Sequence, residues 1–322
     1  MLDGIAFFFA ISLPPELFQL PEGIGRVELV VAAMMLLLAL EQRYGRKSKV
    51  DARRSYRLNL STLLVNDALF SLVSASSLLA LADRFSAHGL LDKAASPWQE
   101  LIAFALLDLC LYFWHRACHA FPWLWCLHQV HHSDPVVNVT TAFRLHFLEV
   151  LLTTGIKAGF ILITGISAEF VLLAETIIAL HVMLQHANLR LPGERWLAKL
   201  LATPSLHRMH HSALRFEHDR NFGLMFSLWD RWFGTLREGE PARIGLNGLP
   251  PTTLFELFRP KPPSSPMPAL CPEIYRMIAE AAYYRAERRG FAPGFELEDW
   301  LAAEREILAQ ALGGGLYCKL MQ

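Results

Sequence analysis

The chain has 322 residues, 53% of them hydrophobic and only 19% charged, with a mean hydropathy of +0.29, a balance expected of a membrane protein rather than a soluble domain. Thirty basic and thirty acidic residues cancel, which excludes the basic footprint of a nucleic-acid-binding protein. Five cysteines (Cys110, Cys118, Cys126, Cys271 and Cys318), odd in number and without a CxxC pair, argue against a disulfide framework or a zinc ribbon and are read as packing residues.

The opening run MLDGIAFFFAISLPPELF has Asp3 where a signal peptide carries Lys or Arg, and Pro14-Pro15 interrupts it, so cleavage is not expected. Ile24 to Leu40 is long enough to cross a bilayer with little tilt and forms the first predicted span. The loop after it gathers Arg43, Arg46, Lys47, Lys49, Arg53, Arg54 and Arg57, which assigns it to the cytoplasm by the positive-inside bias. A second span is expected over Leu58 to Ala82, with Asn66 and Asp67 turned away from lipid. A third, Leu101 to Trp114, delivers His115 to the membrane boundary. Val150 to Leu184 is apolar but broken at Thr164-Gly165-Ile166-Ser167, the pattern of a helical hairpin. Counting crossings puts both ends of that hairpin in the cytoplasm, so the histidine-rich segments flanking it meet on the face of the basic loop.

After Phe233 the chain turns polar, and RPKPPSSPMP (Arg259 to Pro268) reads as a proline-rich linker. Ile274 to Arg289 is helical by composition. Glu298-Asp299 opens a second helix, along which Trp300, Leu301, Ile307, Leu308 and Leu312 recur at helical spacing, and Tyr283 and Trp300 are expected to supply the contact between the two. The expected fold is therefore an all-α integral membrane helix bundle of about three spans plus a helical hairpin. It carries a cytoplasmic, helical, His-rich cap and a small C-terminal helical module. The segments are 1–97 (N-terminal spans and basic loop), 98–240 (His-rich di-metal domain), 241–270 (linker) and 271–322 (two-helix accessory module).

Twelve of the thirteen histidines fall between His115 and His218. HRACH (His115, His119), HQVHH (His128, His131, His132) and HRMHH (His207, His210, His211) space them at i, i+3 and i+4, which places each set on one helical face directed toward a common point. Neutral imidazoles buried together need partners for their lone pairs, and cationic ones repel, so packing alone does not account for these motifs. With His181 and His186 at the hairpin's cytoplasmic end, eight to ten imidazoles suit two metal ions better than one. Imidazole accepts iron, zinc, copper and nickel alike, so the donors leave the metal open. His88, His146 and His218 are read as packing or surface residues. HExxH, ExxH pairs of the carboxylate-bridged kind, GxGxxG, the P-loop and GxSxG are all absent from the sequence. What remains is oxidative chemistry at the mouth of a lipid-embedded bundle. A metal-carrier or haem-binding role is disfavoured because the histidines gather on one face at helical spacing.

These residues resemble the fatty acid hydroxylase superfamily, which includes sterol desaturases and methyl oxidases. The likeness runs from about Leu101 to Leu236 through HRACH, LWCLHQVHHSD, NVTTAFRLHFLE, LQHANL, TPSLHRMHH and DRNFGLMFSLWDRWFGTL. The resemblance implies a membrane non-haem di-iron oxygenase that uses two iron ions and O2 to hydroxylate, or alternatively desaturate, a C–H bond of a lipid substrate held in the lipid bilayer. It implies His115, His119, His128, His131, His132, His186, His207, His210 and His211 as ligands, with His181 a candidate tenth; relatives carry a histidine pair four apart where this chain has His181 and Gln185. Arg144, Glu149, Asn188, Asp219 and Asn221 match family positions and are assigned to orienting the imidazoles. Trp229 and Trp232 are read as membrane anchors. No reductase module appears in the sequence, so a separate electron-donor protein is expected. The tail resembles a short bacterial domain of unknown function, which suggests a bacterial inner membrane; the basic loop assigns the metal site to its cytoplasmic face.

Overall fold

The computed structural model describes residues 25–46, 52–73, 78–86, 89–91, 97–241, 243–246, 251, 253–259 and 272–313. Expectations for the N-terminal run, Lys47, Lys49, His88, the proline-rich stretch from Pro260 to Pro268, Cys271 and Cys318 lie outside these residues. The chain divides into two compact units, Met1–Lys261 and Pro262–Gln322. Among the described residues it is helical, with no strands and only two isolated bridges, Leu201 to Phe226 and Ser212 to Ile244.

In the first unit the helices are α1 (Arg26–Tyr44), α2 (Arg53–Val73), α3 (Leu78–Phe85), α4 (Pro97–Ala120), α5 (Pro122–His132), a 3-10 turn (Val139–Phe143), α6 (Phe147–Thr164), α7 (Ala168–His186) and five short ones. These are α8 (Glu194–Leu197), α9 (Pro204–His210), α10 (Arg215–His218), α11 (Leu228–Trp232) and α12 (Leu254–Phe258). Among the described residues, three helices are long and apolar enough to span a membrane: α4 over Glu100–Ala120, α6 and α7. The hairpin break falls where the sequence placed it. Gly165 closes α6 at φ 67, the left-handed conformation that glycine adopts without a Cβ clash. Ser167 caps α7, its hydroxyl accepting from the Phe170 N–H at 3.2 Å.

The first two predicted spans need revision. α1 covers the first but carries Arg26, Glu28, Glu41 and Arg43 near its ends and is not among the helices apolar enough to cross a membrane. The second is not one helix, because α2 ends at Val73 and α3 begins at Leu78. α2 buries Ser55, Asn59, Thr62 and Asn66, one polar stripe at helical spacing, while Leu60 and Leu64 are exposed. Short α3 packs against both α6 and α7. Beyond it, Leu90 and Leu91 donate N–H bonds to Ile163 and Thr164 at the hairpin tip (3.0 and 2.8 Å). Leu79, Leu107, Ile161, Phe170 and Ile178 form an apolar core among these helices.

Part of the expected 241–270 linker belongs to the first unit. Ala213 N–H bonds the Arg243 carbonyl, Gly245 N–H bonds the His211 carbonyl, and α12 packs on α2 and α5. In the second unit, α13 (Pro272–Arg288) and α14 (Glu296–Gly313) pack together as a helical pair, burying Ile278, Ala303 and Ile307, with Arg285 paired to Glu306 at 2.7 Å and Arg289 paired to Asp299. Tyr283 packs at a tilt against Phe291 in the connecting loop, ring centroids 5.4 Å apart.

Candidate metal centre

Four helix ends converge beneath the cap. α4 contributes His115 and His119 and α5 contributes His128, His131 and His132. His186 comes from the last turn of α7, and His207 and His210 from α9, with His211 immediately after it. Pro122 and Pro204 stand in the first turns of α5 and α9, where a missing N–H costs nothing, so each histidine motif begins on a preset turn.

The imidazoles fall into two groups. His115, His119, His128, His132 and His210 form one, and His131, His186, His207 and His211 the other; within each group one nitrogen per ring lies within 4.8 Å of all the rest. All nine are buried. The sequence expectation that each motif points to a single spot is refined by this division. The i, i+4 pairs 115/119, 128/132 and 207/211 stay together, whereas His131 and His210 cross to the opposite group.

Nitrogens of like kind face one another at hydrogen-bond distance: His115 Nε2 and His128 Nε2 at 3.1 Å, His186 Nε2 with His131 Nε2 at 3.0 Å and with His207 Nε2 at 2.9 Å. The outward nitrogens of several rings are already committed. His115 Nδ1 is 2.9 Å from the Phe222 carbonyl, His210 Nδ1 2.7 Å from that of Arg220, and His186 Nδ1 2.7 Å from that of Val182. His128 Nδ1 is 2.6 Å from Glu149 Oε1, and His119 Nδ1 is 3.1 Å from Asp219 Oδ1. A ring that donates Nδ1–H outward holds its Nε2 lone pair inward, the tautomer a metal ligand requires. Consistent with that demand, His119 Nε2, His210 Nε2 and both ring nitrogens of His132 are buried without a hydrogen-bond partner. Burial, reinforced by neighbouring imidazoles, holds His131, His132, His207, His210 and His211 well below the usual imidazole range, so these rings stay neutral and able to coordinate. The donor set therefore fits transition-metal ions.

The other predicted site residues take distinct places. His181 is buried but outside both groups, its Nε2 2.9 Å from the Ala202 carbonyl. Arg144 is 1% exposed and donates to the Val130 carbonyl, Ser133 Oγ and Asn59 Oδ1, tying the end of α5 to α2. Asn221 adopts φ 57 and clasps the chain through the Leu206 and Arg237 carbonyls and the Arg237 N–H. Asn188 bonds the Arg46 carbonyl, and its N–H, with that of Val139, donates to Glu41. His146 caps α6 and bonds the Phe258 carbonyl. Trp229 is buried, its indole N–H on Asp108 at 2.8 Å, so it is not an anchor, whereas Trp232 is exposed. Cys118 is buried beside the His128–Glu149 pair.

Sequence reasoning passed over three contributors. His218 sits within 4.8 Å of the His119 and Asp219 donors. Asp134, two residues past His132, accepts from Ser55, Asn59 and Thr141. Asp108 fastens the chain after Asn221 to α4 through the N–H groups of Met225 and Phe226. The acid closing HHSD was the one available signal for Asp134.

A family model described as fatty acid hydroxylase matches residues 101–235, the stretch that holds all nine clustered imidazoles. That stretch belongs to the fatty acid hydroxylase family. A second model, described as a protein of unknown function (DUF2934), matches residues 273–309. The chain is 31% identical over 174 residues to alkylglycerol monooxygenase of Xenopus tropicalis, covering 51% of this chain and 36% of that one. It is 30% identical to the Homo sapiens alkylglycerol monooxygenase, covering 50% and 35%. It is 27% identical over 169 residues to ornithine lipid hydroxylase OlsE of Rhizobium tropici, covering 51% and 50%. The chain thus spans about a third to a half of the length of these curated relatives. No solved structure matches it.

Proposed function

We propose that this fatty acid hydroxylase domain is a membrane-bound, non-haem di-iron oxygenase that hydroxylates a C–H bond of a lipid. The observation that carries the reading is the pair of buried imidazole groups with converging nitrogens, in which His115, His119, His128, His186 and His210 have Nδ1 committed to a carbonyl or carboxylate and Nε2 turned inward. His115, His119, His128, His132 and His210 would hold one iron, and His131, His186, His207 and His211 the other. The bound irons would supply O2 activation, in which one oxygen atom enters the C–H bond and the other leaves as water at the expense of two electrons and two protons. His181 would stay outside the coordination sphere, engaged with Ala202.

The chain's own residues arrange the site. Glu149 and Asp219 accept from His128 and His119 and orient their rings. Phe222 presses its ring against His115, His119 and His210 while its carbonyl holds His115, which keeps this side of the centre apolar. The lipid-hydroxylase names of the relatives support a lipid substrate, and a separate protein would supply the electrons. The cationic start of α2, with Arg53, Arg54 and Arg57, favours a cytoplasmic face for the site in a bacterial inner membrane.

The test is metal analysis of the detergent-purified, iron-replete protein together with lipid-dependent O2 uptake and product mass spectrometry. About two irons per chain and a product heavier by one oxygen are expected. His131→Ala and His210→Ala should each lower bound iron and reduce turnover at least a hundredfold. Full turnover in either variant with intact metal would overturn the assignment.

A further inference from the structure

Besides its three helices long and apolar enough to span a membrane, the first unit has a second apolar surface. α11 and the loop before it do not stand above the membrane-spanning helix but run along it. Asp108, seven residues and so about 10 Å below His115 along α4, is fully buried and accepts the N–H groups of Met225 and Phe226 and the indole N–H of Trp229 at 2.8–3.0 Å. Phe226 meets Phe104 deeper still, and Phe233 packs on Tyr112 and Phe113 with ring centroids 5.4 and 5.0 Å away. The α8 region is bound to this strip. Ser227 donates to the carbonyls of Ala198 and Leu200, and Ala202 N–H donates to Met225.

What these segments present outward is apolar. Trp196 and Trp232 are both 71% exposed, and Leu197, Leu200 and Phe233 are exposed beside them. On α4, Phe113 shares one face with exposed Ile102 and Leu106, so the patch continues the lipid-facing side of a spanning helix. Arg195, Lys199 and Arg231 are exposed on the same segments, with the Lys199 ammonium 3.8 Å above the Trp196 ring. Aromatic rings with long cationic side chains among them suit the boundary between acyl chains and headgroups, where the rings sit in the apolar layer and the cations reach phosphate.

We propose that residues 193–201 and 224–234 form a wedge inserted into one leaflet beside α4, with the lipid bilayer as its partner. Depth separates a leaflet from a protein partner in water, because the Asp108 tether holds the strip alongside a segment of α4 that lies within the spanning stretch. The inference rests on α4 spanning the membrane and is independent of the oxygenase reading, since its test needs neither metal nor turnover.

The full-length protein is placed in nanodiscs of phosphatidylcholine with brominated acyl chains, and its tryptophan emission is compared with that of Trp196→Phe and Trp232→Phe, conservative changes at exposed sites. Each substitution is expected to remove emission that bromolipid quenches and aqueous iodide does not. If the emission lost in the two variants is instead quenched by iodide, or by neither agent, the segments face water or another protein and the proposal fails.

Discussion

The shortest contact in the centre joins His128 Nδ1 to Glu149 Oε1, and both groups are buried. A carboxylate there fixes the ring and strengthens it as a donor, so its loss acts through the metal rather than through packing. Glu149→Ala should weaken metal affinity about 10- to 100-fold in a chelator competition. Glu149→Gln, which keeps an acceptor but not the charge, should fall between that variant and the parent. Arg144 acts at a different level. Its guanidinium satisfies Val130, Ser133 and Asn59 in a site closed to water, and Arg144→Met strands those acceptors. A loss of about 1–3 kcal/mol in folding stability is expected, read as a lower midpoint of thermal unfolding for the metal-free protein.

Among the elements, the α6–α7 hairpin was legible because a Thr-Gly-Ile-Ser break in an apolar run carries both a helix stop and a helix start. Its tip is tight. A Cβ on Gly165 would lie 2.5 Å from the Gly89 backbone nitrogen, at a φ of 67. Gly165→Ala should cost at least about 1–2 kcal/mol from the left-handed conformation alone, with a matching fall in thermal stability and in metal retained on heating. The three histidine motifs were legible for the same kind of reason, since helical period fixes which side chains share a face. The division of the nine rings between two groups was not, because the placement of His131 and His210 depends on how α5 and α9 face one another. Nor were the carbonyl partners of His115, His186 and His210, because every residue type supplies the same carbonyl. α2 was misread because averaged hydropathy hides a polar stripe of Ser55, Asn59, Thr62 and Asn66 behind leucines on the opposite side. A lone Asp108 in an apolar run gives no hint that three donors await it.

At the scale of the whole molecule, polarity is partly reversed relative to a soluble bundle. Ser55, Asn59, Asp108, Asp134 and Arg144 are buried, while Met35, Leu36, Leu64, Leu106 and Ile163 are exposed. Lipid solvates such a surface without penalty, and these five interior polar groups are satisfied by hydrogen bonds within the protein. The polar interior is also where the His-rich segments are anchored: Asp134 holds the end of α5 against α2, and Asp108 holds the 222–229 strip, with the carbonyl that bonds His115, against α4.

The crossing of His131 and His210 between groups bears on how the centre fills. α5 and the α9 motif each give rings to both groups, so an ion that captures one group orders the elements that carry three of the donors of the other. The conformational entropy surrendered at the first event is not surrendered again at the second. Titration of the metal-free protein with ferrous iron, followed spectroscopically, should therefore give a Hill coefficient above one and little singly loaded species. His210→Ala, which removes one of the two crossing rings, should bring that coefficient toward one. A fold that interlaces two donor groups in this way would make half-filling a rare state.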